Sequence, residues 1–323
     1  MSPALLVVFV VLGTYAVLST LGSIAVAASW RLARMQPMPA AVRARRIVML
    51  RLLPSTAGAI VTLGLVVPGF VMFEPARPAE VVGPALIAFA LSGAWLTIAA
   101  AGTAIRTASV TKKLERAWLQ SATTFDFDPP AGIPAYAIDS PAPIVALVGV
   151  FSPKLLAARA VIDACSREEL ANIVAHEHGH FRSMDNLKRW LMSSAPDALR
   201  WSPVDREMMA AWCDASEDAA DDAATVGEDI ARADLAALLV KVARITPASW
   251  STAAVSPFVD ADGLDRRVRR LLEREPLQPA SGGINLLPIS AGIVALAMLA
   301  ALRSPATLKR VYEVVESVIT FAR

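Results

Sequence analysis

His176-Glu177-His178-Gly179-His180 is the stretch on which the reading of this chain turns. Residues four apart share one face of a helix about one turn from each other, which is the separation two imidazole ligands of a tetrahedral ion need. The chain has three histidines, and all of them lie in this pentapeptide. His178 falls about 200° around the helix from His176 and is given no ligand role. Glu177 adjoins the first imidazole and is placed as general base, taking a proton from the attacking water and passing it to a leaving amine. Upstream, Ser166-Arg167-Glu168-Glu169 reads as a capping box that starts the helix. Leu170, Ile173 and Val174 give that helix a stripe to bury.

A hydrolytic zinc site needs a third protein ligand and one open position. With the histidines used, the acids downstream are the first place to look for it. In Glu217-Asp218-Ala219-Ala220-Asp221 an alanine-rich helix sets Glu217 and Asp221 on one face at i, i+4. Glu217 is the expected ligand, and Asp221 is expected to orient a liganding imidazole from behind. Asp214, Asp218 and Asp222 enlarge the acidic run, whose bland reading is a solvated helix face. Cys213, one turn before Glu217, is an alternative soft ligand. It is set aside because two histidines and a glutamate with an open position are the commoner hydrolytic set. The expected cofactor is one catalytic Zn2+, held by His176, His180 and Glu217.

Outward from this site the composition is that of a membrane protein with one soluble insert: 323 residues, 55% hydrophobic, net charge +2. Nothing in the overall balance argues for nucleic acid. Cys165 and Cys213 are too few and too far apart for a disulfide framework and fit a reducing compartment. Pro3 to Ser29 carries no charge and exceeds the roughly 20 residues that cross a bilayer. It lacks the basic start of a cleaved signal peptide. Arg31, Arg34, Arg43, Arg45, Arg46 and Arg51 follow as a basic loop, which the positive-inside rule puts in the cytoplasm, with the N-terminus outside. A second span is expected at about 55–73, interrupted at Pro68, and a third at about 82–105, followed by Arg106, Lys112, Lys113 and Arg116.

Residues 119–281 are then the soluble domain. Ala135 to Asp139 and Pro143 to Phe151 read as short strands, and Ser152-Pro153 as a helix start. The strands offer an edge to which a substrate peptide could add. A fourth apolar run, about 284–302, follows the arginine-rich segment Arg266 to Arg274. In the tail, Leu308, Val311, Val315, Val318 and Ala322 share a helical face, for the membrane surface, a partner or the chain's own domain. The four apolar runs contain no internal acid or base, which argues against a transporter.

The string from Leu170 to Leu187, LANIVAHEHGHFRSMDNL, resembles the BlaR/MecR-type membrane zinc peptidases, whose pattern is H-E-x-x-H followed shortly by D-N-L. Trp201-Ser202-Pro203, the Glu217-x-x-x-Asp221 motif and the arginine-containing helix Leu264 to Leu272 are similar too. HtpX-type and CAAX-processing membrane proteases share both zinc motifs; D-N-L and W-x-P favour the first family. The family's usual cysteine before the Asp of the second motif is Ala220 here. The family's β-lactam sensors carry an external penicillin-binding domain after the fourth span, whereas this chain ends about twenty residues beyond Arg303, so direct antibiotic sensing is not expected. The resemblance implies a mainly α fold: a four-transmembrane-helix protein with a cytoplasmic zincin-like α+β metalloprotease domain. Its parts are 1–118 with three spans, 119–281 as the protease, and 282–323 with the last span and an amphipathic tail. It implies a zinc endopeptidase of a bacterial-type inner membrane with ligands His176, His180 and Glu217 and base Glu177, cleaving a protein or peptide at the cytoplasmic face. Repressor cleavage in signalling is the role the resemblance suggests; membrane-protein quality control of the HtpX type and a catalytically silent zinc-binding scaffold are the alternatives. The expected partners are a protein or peptide substrate, the lipid bilayer and, as the notional counterpart of the family's sensor domain, a separate sensor or partner membrane protein.

Overall fold

The computed structural model describes residues 3–33, 37–73, 83–124, 133–140, 144–225, 229–245, 261–273 and 304–321. These form a mainly helical protein with one small sheet. Helix α1 spans Pro3–Ala33 and α2 spans Ala40–Val61; α2 runs through a π turn at Thr62–Val66 into α3, Val67–Phe73. Pro68 has no N–H to donate and its ring crowds the carbonyl four residues back, so the local widening to π geometry just before it is where the helix absorbs the proline. Helix α4 covers Pro84–Leu119. All three rods, Ala4–Leu32, Ala40–Phe73 and Pro84–Leu119, are long and apolar enough to cross a membrane. The basic stretch expected as a loop is helical from Ala40 onward, and α4 continues well past residue 105.

Small residues let the rods meet. A Cβ on Gly93 would stand 2.1 Å from the carbonyl oxygen of Leu12, so only glycine fits where α1 and α4 cross. At the end where α1 and α4 begin, Leu6, Val10, Val66, Phe70 and Leu86 form a cluster. Helix α11, Pro305–Phe321, closes that end: Leu308 is buried against Gly69, and the Tyr312 ring lies 5.6 Å from that of Phe70. The tail's apolar face is thus docked on the chain's own long helices. The fourth apolar run, 284–302, lies outside the described residues.

The sheet has the order β1-β2-β4-β3, with β1 Thr123–Thr124, β2 Ala135–Ile138, β3 Val145–Val148 and β4 Lys154–Ala158. β2 and β4 are parallel; the other pairs are antiparallel. The helix expected from Ser152-Pro153 is strand β4 instead. Leu155 to Ala158 are buried, and a short apolar run with neighbours on both edges forms a central strand that periodicity cannot tell from a helix. The last turns of α4 cover one sheet face through Leu114, Trp118 and Leu119. The other face packs on α6, Arg167–Ser183, α9, Asp229–Ile245, and α10, Ala261–Leu272. α5, Arg159–Ala164, connects β4 to α6.

The sheet-bearing half is joined firmly to the rods. Helix α7, Asp185–Ser193, and helix α8, Pro203–Ala224, flank a 3-10 turn at Ala198–Trp201. Met192, Leu199, Met208 and Trp212 pack with Val26, Trp30, Ala44 and Ile47 of α1 and α2. Within this contact Arg51 of α2 donates to both carboxylate oxygens of Asp197, at 3.1 and 3.0 Å, and to Asp205. Arg51 and Asp197 are both buried.

Candidate metal centre

α6 begins as its sequence dictates: the Ser166 hydroxyl accepts from the Glu169 N–H at 3.2 Å, and the Glu169 carboxylate accepts from the Ser166 N–H at 2.7 Å. Leu170, Ile173 and Val174 go into the core, which fixes the rotation of the helix and turns His176 and His180 toward α8. There, Gly179 meets Ala220, and a Cβ on Gly179 would lie 3.1 Å from the Ala220 Cα. That close crossing brings Glu217 to the histidine pair. The Nε2 atoms of His176 and His180 are 3.2 Å apart, and Glu217 places its oxygens 3.5 Å from the first and 3.6 Å from the second. The three side chains offer ligand atoms within 4.8 Å of one another. A tetrahedral zinc with bonds of about 2.0–2.2 Å sets its ligand atoms about 3.4 Å apart, so the donor set fits such an ion.

Each imidazole is held from behind. Asp221 stands 3.0 Å from Nδ1 of His176, and Asp185 is 2.8 Å from Nδ1 of His180. Both Nε2 atoms are thereby left for the shared centre. Asp221 in turn accepts from Arg267 of α10 at 2.9 and 2.6 Å, and the same guanidinium reaches Glu217 at 3.0 Å. Asp185 reaches His180 because α6 ends at Met184 in the left-handed region, φ 54°, the one non-glycine with positive φ among the described residues. That conformation costs about 1–2 kcal/mol for a residue with a Cβ. It reverses the chain so that the first residue of α7 folds back under the histidine. Asp185 also accepts from Ser216 at 2.7 Å and from Lys188 at 3.3 Å.

The electrostatics follow from burial and these partners. Burial pushes Asp221 up, but the Arg267 charge and the hydrogen bonds from His176 and Arg267 outweigh it and bring the carboxyl down to about 2. Glu217 is held well below the usual range, because His180, His176 and Arg267 together overcome its burial. Asp185 is lowered too, its burial outweighed chiefly by the hydrogen bond with His180. Three ionised carboxylates thus face two imidazoles with Arg267 and Lys188 as the cationic partners, a setting with room for a divalent cation. Glu177 differs. Burial raises its pKa more than the neighbouring imidazoles lower it.

Glu177 is nearly fully buried, and one of its oxygens accepts from the Leu147 N–H of β3 at 3.1 Å. Asn186 donates to the carbonyls of Leu147 and Gly149 at 3.0 and 2.9 Å. β3 is the sheet edge that faces the site, whereas β2 is paired on both sides. The expected peptide-adding edge therefore narrows to β3, where both polar groups of Leu147 already have partners. Beside it runs a groove lined by Thr107, Thr111, Leu147, Asn186, Arg189 and Trp190.

His178 stacks on Phe181 and takes no part in the group. Cys213 is also outside it, and its sulfur accepts from Arg189 at 3.8 Å. Both cysteines are free. The acidic run is not a solvated face: Asp218 pairs with Arg43 and Arg266, and Asp222 with Arg270. Trp201 closes the 3-10 turn, and Ser202-Pro203 starts α8, with Ser202 as its cap and Pro203 in its first turn. The roles of Asp185, Asn186 and Arg267 had no local signal beyond the strings in which they resemble a family, and Ser216 had none.

Residues 107–248 match the model of a protein family described as Peptidase family M48. No curated protein matches the chain. The match supports a metallopeptidase, and the long apolar helices are those of a membrane-associated one. The narrower BlaR/MecR type is not reached by it.

Proposed function

We propose that the chain is a membrane-embedded zinc endopeptidase that hydrolyses protein substrates at the cytoplasmic membrane face. The carrying observation is the convergence of His176, His180 and Glu217, each imidazole backed by a carboxylate, beside a buried Glu177. His176, His180 and Glu217 would hold the zinc, which when bound supplies Lewis acidity to the scissile carbonyl and acidifies water. Asp221 and Asp185 keep the imidazole rings turned toward the centre, and Arg267 steadies Glu217 and Asp221 together. Glu177, with one oxygen tethered by the Leu147 N–H, takes a proton from the attacking water. As the water oxygen bonds to the carbonyl carbon and the C–N bond breaks, the same carboxyl delivers that proton to the amine nitrogen. A carboxyl whose pKa is raised by burial suits both halves of this exchange.

Four spans are supported by the path of the chain, and the N-terminus outside by the basic residues Arg31 to Arg51 that follow the first apolar run. α10 packs on α8, at the site end of the rods, whereas α11 docks on α3 at the opposite end. The connecting segment contains the apolar run 284–302, of the length that crosses a bilayer. Repressor cleavage in signalling is the role we assign, on the D-N-L and W-x-P resemblance. The test is Glu177→Gln in the full-length protein: it should keep one zinc per chain and lose proteolysis, while retained cleavage by the purified variant refutes the assignment. Used as a trap in native membranes, the same variant should accumulate a cytoplasmic repressor. Accumulation of damaged membrane proteins instead would assign quality control.

A further inference from the structure

Two side chains of the protease half grip the same turn of α4. Trp190 donates to the carbonyl of Ala104 at 3.0 Å, and Arg200 donates to the hydroxyl of Thr103 at 2.6 Å. At this turn the apolar run of α4 gives way to Arg106. Around it the soluble half shows large apolar groups to the outside. Phe151, edge-on to Trp190 with centroids 5.3 Å apart, is 70% exposed. Trp201, with the Arg200 guanidinium 5.3 Å above its ring, is 54% exposed. Leu191 is exposed beside Trp190. On α4 the outward stripe Leu91, Trp95, Ile98 and Ile105 leads down to the same turn. The segment between α7 and α8 reaches further still, for the carbonyl of Pro196 accepts from Tyr15 at 2.6 Å, inside the first apolar run.

Aromatic rings with a cationic rim, at the level where spans become charged, are the chemistry of the membrane–water boundary. Membrane helices usually supply such a belt themselves. Here the protease half supplies it, continuous with the lipid-facing side of α4.

We infer that Phe151, Leu191 and Trp201, rimmed by Arg200, lie in the headgroup–acyl boundary of the bilayer, so that the protease half is set partly into lipid. This rests on the reading of α1, α2–α3 and α4 as membrane spans. Trp190 is both the partner of Phe151 and a wall of the groove beside β3, so that groove opens against the lipid surface.

The test is tryptophan fluorescence of the full chain in phosphatidylcholine–phosphatidylglycerol vesicles, with lipids brominated high on the acyl chain as one quencher and aqueous iodide as the other. Phe151→Trp adds a reporter at an exposed site with room for it. Asp163→Trp, on α5 beyond the far end of β4, is the aqueous control. The emission added by Phe151→Trp should be quenched at least twofold by the brominated lipid and little by iodide, with the reverse for Asp163→Trp. Trp201→Phe should remove a lipid-quenched component, which serves as an independent reading if the first variant misfolds. Iodide quenching at position 151 equal to the control, with an iodide-quenched component lost in Trp201→Phe, overturns the inference. Wild-type emission includes Trp95 on the outward stripe of α4 and reports the spans themselves. If it is quenched by brominated lipid while positions 151 and 201 are not, only the boundary placement fails; if it is not quenched at all, the membrane reading fails with it.

Discussion

Asp185→Asn changes no shape and removes one charge from behind His180, which we propose as a metal ligand. The carboxylate lies 2.8 Å from Nδ1 of His180 and 2.7 Å from the hydroxyl of Ser216, and it is 8% exposed, so water has little access to repair the loss. Loss of such an outer partner costs about 10–100-fold in metal affinity. At about 1.4 kcal/mol per factor of ten this is roughly 1.4–2.8 kcal/mol. The contribution of a hydrogen bond to a charged group, about 1.5–3 kcal/mol, arrives independently at the same range. Ser216→Ala removes one bond to the same carboxylate and leaves its charge, so its effect should stay below about tenfold. The assay is competition for zinc with a chromophoric chelator on purified full-length protein, together with peptide turnover at saturating zinc. Asp185→Asn should weaken Kd by 10–100-fold while zinc saturation restores most of kcat. An unchanged Kd, or a larger loss in Ser216→Ala than in Asp185→Asn, would refute the reasoning that Asp185 acts by orienting His180.

Other outcomes follow from the packing. Arg51→Met leaves Asp197 and Asp205 without their buried cation and should destabilise the full-length protein by about 3–5 kcal/mol in detergent unfolding; adding Asp197→Asn should restore part of the loss, and strictly additive effects would sink the pairing argument. Gly179→Val drives methyl groups into Ala220 and Ala223 and should cost about 1–3 kcal/mol, with zinc affinity falling because Glu217 moves with α8; unchanged affinity would show that the α6–α8 approach does not set the ligand distance. Beside Arg267, Asp221 has its pKa lowered from the usual 3.8 to about 2. Its contribution, on the order of 2 kcal/mol, is therefore present above pH 3.8 and lost as pH falls through about 2. Acid unfolding of wild type and Arg267→Gln checks this, since the variant should lose that part of the acid limb.

Legibility in the sequence followed the range of the interactions. The capping box at Ser166, the buried stripe at Leu170, Ile173 and Val174, and the shared face of His176 and His180 depend on neighbours within one or two turns, and the structure forms each of them. The apolar rods were visible for the same reason, since crossing a bilayer is a property of one continuous run. β4 was misread because Leu155 to Ala158 is too short for periodicity to decide, and only its pairing with β2 and β3 makes it a strand. The basic residues of 31–51 read as a loop because their partners were out of view: Arg43 belongs to Asp218, and Arg51 to Asp197 and Asp205.

By itself, then, the sequence determined a helix that offers two imidazoles and a glutamate on a chain with long apolar runs, because such patterns are set by spacing along one element. The sequence also offered Glu217; what the tertiary structure decided is how it reaches the histidine pair, through the Gly179–Ala220 approach of α6 to α8, and that Asp185 supports His180, through the left-handed turn at Met184. It also decided that Arg267 ties Glu217 to Asp221 from α10. Those positions depend on how separate helices pack, and a one-dimensional pattern does not carry the distance between them.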